Sequence, residues 1–344
     1  MFSRLLILLG LSLVVVLAGV ACRTQPYDLA ELLATDFSVP ADLTPARDSG
    51  PCVEQPPPQT GDAGCPCGAQ GLCRPATGRI SAQVSAGGGG GLRVVVMDDN
   101  GCNLHDVTNE HPFSPPRWAP DHERLAYATD SGSLHVVRVD PYGNVTCRNQ
   151  VSTGLKPSAL AWASDNSVWL FDPGTPQSTI TEWQLGKGRL GQTTLPAIDF
   201  DAALSPGPLL IVDKSCGIGC TALQFRPAVA SGDLTQLLAK QTTIGPIRIS
   251  PTGDSAVFEL SGLHLLATQA GAVEQTFGQD GDHAPSFALD GQAILYTANN
   301  DELHYHLINQ PNTPDLVLPS SWKKIYGPEW SPLPAVCGLP PTCF

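Results

Sequence analysis

A short pattern that recurs six times constrains the fold of this chain more than any other feature. Each copy has a bulky apolar residue, then a small residue, then a turn residue that is usually proline. The turn residues stand at positions 120, 164, 206, 251, 289 and 332, so neighbouring copies are 38 to 45 residues apart. A fixed period of this length predicts a repeat architecture. The six copies are Arg117–Asp121, Ala161–Asp165, Ala203–Gly207, Arg248–Thr252, Ser286–Asp290 and Glu329–Pro332.

Two short runs of β-forming residues follow each of the first five copies. A unit of this length holds about four strands, the size of one β-propeller blade. A single four-stranded sheet leaves both faces open, and packing blades around an axis buries them. We therefore expect the bulky position to lie between blades rather than in a cofactor site. The first runs are Leu125–Ala128, Val168–Phe171, Leu209–Val212, Ala256–Glu259 and Ile294–Thr297, and the second are Leu134–Val139, Thr179–Leu185, Ala222–Phe225, Leu263–Thr268 and Leu303–Ile308.

The two ends of the repeat region complement each other. Residues Arg93–Gly101 predict the latter half of a blade, with a hairpin turn at Asp99–Gly101. Residues Tyr326–Pro332 predict the first strand of a blade. Neither end holds a whole blade, so we expect both to build the sixth one and thereby close the ring. The predicted fold is an all-β, six-bladed β-propeller over residues 92–344.

Three stretches carry a resemblance to a known family. Trp118–Thr129 (WAPDHERLAYAT) and His283–Asn299 (HAPSFALDGQAILYTAN) resemble the W-S-P-D-G-x-x-I-a-Y repeat of TolB-like propellers. Ile249–Glu259 is a weaker third copy. The resemblance covers roughly residues 92–334 and implies the six-bladed fold. It implies little about function, because the N-terminal α/β domain of TolB is replaced here by a different kind of segment.

The first 22 residues predict export and lipid attachment. Met1–Arg4 carries one positive charge, and a mostly apolar run from Leu5 to Val20 follows. This run is too short for a stable membrane-spanning helix but suits a secretory signal. It ends in Gly19-Val20-Ala21-Cys22, which resembles the bacterial lipobox except that Gly19 stands where leucine is usual. We expect residues 1–21 to be a leader and Cys22 to carry lipid; an ordinary signal peptide cleaved nearby is the alternative. Arg23 favours the outer over the inner membrane by resemblance to enterobacterial sorting rules.

The cysteine count fits that hypothesis. The chain has 11 cysteines, so lipidation of Cys22 leaves an even number that can form disulfides in an oxidising compartment. Cys65, Cys67 and Cys73 have no second pair with zinc-ligand spacing, so disulfides are favoured over a metal site. Cys216 and Cys220 enclose Gly217-Ile218-Gly219, which favours a hairpin disulfide over a redox pair.

Composition separates the N-terminal segment from the propeller and excludes some partners. Residues 22–60 contain recurrent proline and aspartate without a periodic apolar face, which predicts a flexible tether. A Cys-rich patch and the glycine hinge Gly87–Gly91 occupy residues 51–91. The formal net charge of −13 makes nucleic acid or an anionic membrane surface an unfavourable partner. Solvation is the simplest explanation of this acidity.

Candidate site residues are few. Asp280, Asp282 and His283 stand just before the first strand of a blade, where propeller loops often bind ligands, although turn chemistry explains them equally well. His304 and His306 lie on one face of a strand and could join a metal site. The sequence contains no nucleophile elbow, H-E-x-x-H, P-loop, dinucleotide-binding or EF-hand pattern.

We therefore expect a non-catalytic binding or scaffold module, held at the cell envelope by lipid, with an envelope protein or glycan as its partner and no cofactor. The alternative is an envelope hydrolase or lyase with acidic and histidine side chains on the loops that precede the blades. A propeller scaffold hosts both classes, so the fold by itself does not decide between them.

Overall fold

The computed structural model describes residues 77–332, except for 86–90, 100–103, 109, 141–142, 215, 230–231, 300, 311–313 and 319–323. Within these ranges all regular structure is β, in 24 strands that form six four-stranded sheets. The predicted leader, Cys22, the tether and the Cys-rich patch lie outside the described residues. The all-β, six-bladed prediction is confirmed.

Each sheet is one blade, and in the first five blades the strand order follows chain order from the axis outward. The first blade contains β4 (Arg117–Trp118), β5 (Arg124–Ala128), β6 (Ser133–Val139) and β7 (Val145–Ser152). The second contains β8 (Ala159–Ser164), β9 (Ser167–Asp172), β10 (Ser178–Gln184) and β11 (Gly188–Leu195). The third contains β12 (Ala197–Ala202), β13 (Leu209–Asp213), β14 (Thr221–Arg226) and β15 (Thr235–Lys240).

The remaining blades repeat this arrangement, and the last one joins both ends of the repeat region. The fourth contains β16 (Ile247–Ile249), β17 (Ser255–Glu259), β18 (Leu263–Ala267) and β19 (Gln275–Phe277). The fifth contains β20 (His283–Phe287), β21 (Ala293–Thr297), β22 (Leu303–Leu307) and β23 (Leu316–Leu318). The sixth contains β24 (Ile325–Pro332), β1 (Gly78–Ser85), β2 (Leu92–Asp98) and β3 (His105–Asp106), in that order from the axis.

Burial along the strands reflects their position in the blade. The second and third strands are covered on both faces, so β5 and β6 of the first blade are buried along their whole length. The outermost strand β7 instead alternates between partly buried and exposed residues, because only one of its faces meets the rest of the protein. The predicted runs coincide with the second and third strands, where continuous apolar sequence is required.

The bulky position of the repeat lies between blades where it is aromatic. Trp118 packs with Val94 and Val96 of the sixth blade, and Trp162 packs with Ala126 and other residues of the first. In both cases the indole is buried. This confirms the predicted packing role for Trp118 and Trp162.

The third blade departs from the predicted alignment by two residues. The turn bond from Ala119 N to Arg124 O has its counterpart in the bond from Ala203 N to Pro208 O. Ala202 therefore takes the place of the tryptophan, and Leu204 is 42% exposed in the turn. The prediction that Leu204 lies between blades was wrong, because Phe200, which stacks on Phe171 at 5.7 Å, fills the core there instead.

The ring closes as predicted, by pairing strands from both ends of the repeat region, but the N-terminal side supplies three strands of the sixth blade rather than its latter half. The C-terminal part supplies only the innermost strand β24, and β1 lies between it and β2, with Ile80 opposite Trp330. The predicted start of the propeller at Leu92 is therefore corrected to Gly78. β1 was missed because Arg79, Ser81 and Gln83 alternate with its apolar residues, and all three are buried. A strand of that composition predicts a solvent-facing edge.

Candidate ligand site at one mouth of the channel

The six innermost strands, β4, β8, β12, β16, β20 and β24, contact one another around the axis and line a central channel. Every blade has four antiparallel strands, so the chain leaves a blade on the same side of the ring on which it entered that blade. The next inner strand begins on that side. All six inner strands consequently run in one direction. We call the side where they begin the N face and the side where they end the C face.

The predicted site loop lies on the N face. Asp282 is buried, and its carboxylate accepts hydrogen bonds from the backbone N–H of Gln279 (2.6 Å) and of Asn299 (3.1 Å). It therefore ties the loop before β20 to the turn between β21 and β22. Asp280 is exposed, and the His283 ring is half-buried with Nδ1 3.1 Å from Gly281 O. Of the three predicted residues, Asp282 already has structural partners for both oxygens.

The two histidines of β22 lie away from the channel, on the third strand of the fifth blade. His306 Nδ1 is 2.7 Å from an oxygen of Asp315, and its ring stacks on Phe277. His304 Nδ1 is 3.3 Å from the Tyr296 hydroxyl. Among the described residues, no group of three or more His, Cys, Asp or Glu side chains is placed to hold a metal ion.

The Cys216–Cys220 pair forms a disulfide in the turn between β13 and β14, on the N face. Cys220 is buried, whereas Ile218 at the tip of the loop is fully exposed. The loop is therefore fixed at its base and projects an apolar side chain. Cys147 on β7 is disulfide-bonded as well.

The sequence prediction missed a cluster of charged side chains inside the channel. Four inner strands supply it: Arg117 from β4, Asp199 and Asp201 from β12, Arg248 from β16 and Glu329 from β24. Arg117 forms ion pairs with residues of two other blades: its Nη2 is 3.3 Å from Asp201 and its Nε is 3.2 Å from Glu329. Asp201, Arg248 and Glu329 are buried.

The carboxylates also satisfy the backbone of the neighbouring blade. Glu329 accepts a hydrogen bond from Trp118 N, Asp201 accepts one from Ile249 N (2.9 Å), and Asp199 accepts one from Ile247 N (3.1 Å). Inner strands have no partner strand on the channel side, so their inward N–H groups need side-chain acceptors. The acidic residues supply these acceptors and hold adjacent blades together.

Burial shifts the pKa values of the side chains in this cluster. It raises the pKa of Asp199 to about 6, although Arg248 and the backbone N–H donors oppose the shift. It also raises the pKa of the Glu329 carboxyl against the opposing charge of Arg117. The pKa of Arg248 is lowered, first by burial and then by the positive charge of Arg117.

A cavity of about 120 Å³ opens from this cluster at the C face. Its polar lining includes Arg117, Arg248 and Glu329, and its apolar lining includes Trp118 and Trp162. Turn residues that follow the inner strands complete the apolar rim. These residues are Pro120, Leu204, Pro251 and Leu289.

Arg248 reaches across the channel from β16 toward β24. Its Nη2 lies 3.5 Å from the point where a Cβ on Gly327 would stand, and Gly327 has a φ of 51°. Its Nη1 donates to the carbonyl of Ile247 at 2.7 Å. Arg248 is one of the residues that line the cavity, and one of its guanidinium donors is tied to its own strand.

One signal in the sequence could have revealed this cluster. The residue just before the bulky position of the repeat is Arg117, Arg248 or Glu329 in three of the blades. Side chains alternate along a strand, so this position faces the channel when the bulky residue faces the next blade. Charge at a position that otherwise repeats indicates a shared polar interior rather than solvent.

The described chain is thus a six-bladed β-propeller with a charged channel and a cavity at its C face. No protein-family model matches the sequence, and no similar sequence is found among curated proteins. TolB from Acinetobacter baumannii has a similar structure, with a TM-score of 0.56 and 16% identity over 74% of this chain and 66% of the TolB chain. The match thus spans less than two thirds of TolB, and it shows the shared fold alone.

Two further solved structures are similar at a lower level. Hydrazine synthase from Kuenenia stuttgartiensis has a TM-score of 0.48 and 12% identity over 67% of this chain and 74% of its own. A candidate 6-phosphogluconolactonase from Bacteroides fragilis has a TM-score of 0.45 and 11% identity over 74% of this chain and 97% of its own. No helix able to cross a membrane occurs in the described part of the chain.

Proposed function

We propose that this protein is a non-catalytic binding module of the bacterial envelope, anchored through lipid on Cys22, which recognises an envelope protein or glycan at the C-face mouth of its channel. The observation that supports this most is the cavity at that mouth. It combines an apolar rim with buried cationic groups, and a few fixed polar groups in an apolar setting are typical of ligand sites.

The state of the carboxylates favours binding over catalysis. Glu329 and Asp201 each bond one oxygen to Arg117 and the other to a backbone N–H. Asp199 bonds both of its oxygens to backbone N–H groups. A general acid or base must reach a proton on the substrate, and these oxygens are already occupied. The N-face loop is a weaker candidate site because Asp282 is occupied in the same way.

Site-specific photocrosslinking in intact cells tests the location of the partner site. A photoreactive residue at Leu204 stands on the C-face rim, whereas one at Ile218 stands on the N face and one at Val317 on an outer strand; all three native side chains are exposed. We expect a specific adduct from position 204 that is absent from position 317. An adduct from position 218 alone, or the same adducts from all three positions, would contradict the proposed site.

Labelling with palmitate tests the anchor separately. The full chain should incorporate the label and fractionate with membranes, and Cys22→Ser should do neither. A serine variant that still labels would remove the lipid anchor from the proposal while leaving the channel site unaffected.

A further inference from the structure

The carboxylate oxygens of the charged cluster beside the C-face cavity are all engaged in hydrogen bonds or ion pairs. All six oxygens of Asp199, Asp201 and Glu329 have a partner, either Arg117 or a backbone N–H. Nη1 of Arg117 is buried and has no acceptor within the described residues. A ligand that complements this arrangement must therefore offer acceptor atoms.

Arg248 is the second arginine in the lining of the cavity. It is 7% exposed, and within the described chain no carboxylate oxygen lies within 4.0 Å of its guanidinium. Among the described residues, its guanidinium has one acceptor, the carbonyl of Ile247. A buried cation without a close counter-ion is costly. Burial and the positive charge of Arg117 lower the pKa of Arg248, although the more distant carboxylates of the cluster oppose the shift.

The surroundings restrict the size of the group that enters. A cavity of about 120 Å³ is somewhat smaller than the roughly 150 Å³ cavity that holds benzene in another protein. The space therefore admits one compact group, with the rest of the ligand outside. Apolar rim residues such as Leu204 and Pro251 displace water, which strengthens electrostatic contacts at the guanidinium.

We infer that the C-face cavity binds a compact oxyanion, a carboxylate or phosphate group carried by the ligand, with Arg248 as its principal donor. Planar guanidinium groups match the paired oxygens of carboxylate and phosphate. This inference rests on the proposed function, since it specifies the chemistry recognised at the same mouth.

Titration calorimetry on the full chain tests the inference with three probes: inorganic phosphate, glucuronate, and glucose as the uncharged match of glucuronate. We expect at least one oxyanion to bind and glucose not to bind. Arg248→Gln should weaken that binding by roughly tenfold or more, because hydrogen bonds to charged groups are worth about 1.5–3 kcal/mol. Arg189→Gln is the matched control, because Arg189 lies exposed on the outer strand β11.

A second pair of variants keeps the test decisive if Arg248→Gln fails to fold. Leu204 is 42% exposed on the rim, so Leu204→Glu should add a repelling carboxylate and weaken oxyanion binding several-fold, whereas Leu204→Gln should not. Equal binding by both Leu204 variants, or by Arg248→Gln and the wild type, would overturn the inference, as would the absence of binding by either oxyanion. If the crosslink at position 204 persists in that case, the proposed binding function stands and only its oxyanion chemistry falls.

Discussion

At the scale of single residues, the channel shows how a propeller satisfies the strands that have no partner strand. The inward N–H groups of one blade are bonded by carboxylates of the preceding blade, as in the bond from Ile249 N to Asp201. The same carboxylate pairs with Arg117. Each acidic side chain thus supports both the backbone and the charge balance, and its removal affects two blades at once.

The first prediction concerns Asp201. Asp201→Ala removes the acceptor of Ile249 N–H and one counter-ion of Arg117. An unsatisfied buried donor and a broken buried pair are both costly, so we expect a loss of about 3 kcal/mol in the free energy of unfolding. Chemical denaturation measures it. The control Asp165→Ala, at an exposed turn residue, should change stability by less than about 0.5 kcal/mol; equal losses in both would refute the role assigned to Asp201.

The second prediction concerns pH. The folded-state pKa of Asp199 is raised to about 6 from an ordinary value of 3.8, so the folded protein binds a proton there more tightly than the unfolded chain. The contribution of Asp199 to stability is therefore largest below pH 4 and is lost as the pH rises through 6. Denaturation at pH 5 and pH 7 should show a smaller decrease for Asp199→Asn than for the wild type. Identical decreases would exclude a titrating Asp199.

At the scale of elements, strand position within a blade determines which sequence pattern a strand can have. The second and third strands are apolar throughout because blades cover both faces, whereas β7 alternates because it is covered on one face only. The turns between strands differ from blade to blade. The turn between β13 and β14 is closed by a disulfide and projects Ile218 into solvent.

The third prediction is the effect of that disulfide. The bond closes a loop with a sequence separation of 4, and short loops lose little unfolded-state entropy. The double variant Cys216→Ser, Cys220→Ser should be destabilised by about 2 kcal/mol or less, with the fold retained by circular dichroism. Mass spectrometry of unreduced peptides should find the two cysteines linked to each other. Two free thiols, or partners elsewhere, would refute the pairing.

At the scale of the whole molecule, the ring is held closed by one C-terminal strand. β24 pairs with β1 and contacts β4 and β20 of the adjacent blades. Trp330 on this strand is buried, and its indole N–H donates to Asp99 at 3.3 Å. Losing β24 would expose one sheet edge and two blade faces.

The fourth prediction is that deleting residues 323–344 abolishes the cooperative unfolding transition or causes aggregation. Burial of one large aromatic side chain is worth roughly 3 kcal/mol, and whole-domain stability is only about 5–15 kcal/mol. A truncation that ends after Pro332 keeps β24 and serves as the control. If the longer truncation melted cooperatively within a few degrees of the control, closure by β24 would not be essential.

Much of the fold was predictable because packing imposes the same residue types in every blade. The bulky repeat position, the second and third strands and the shared sixth blade all follow from local pattern and spacing. The fourth strands were not predictable in this way, since a half-exposed strand such as β15 tolerates polar residues. β1 was also missed, because Arg79 donates to Val139 O (3.0 Å) and His122 O (2.9 Å) of the first blade, partners that no local pattern reveals.

The sequence by itself determined the repeat, the number of blades and the disulfide-closed turn, because each depends on residues close together in the chain. Only the tertiary structure decided where the chemistry lies. It joined Arg117 to Glu329, 212 positions further along the chain, and it occupied Asp282 with backbone donors. At the opposite mouth it left the Arg248 guanidinium with no carboxylate oxygen of the described residues within 4.0 Å. Hydrogen bonds and ion pairs act over a few ångströms, and only ring closure brings such distant positions within that range.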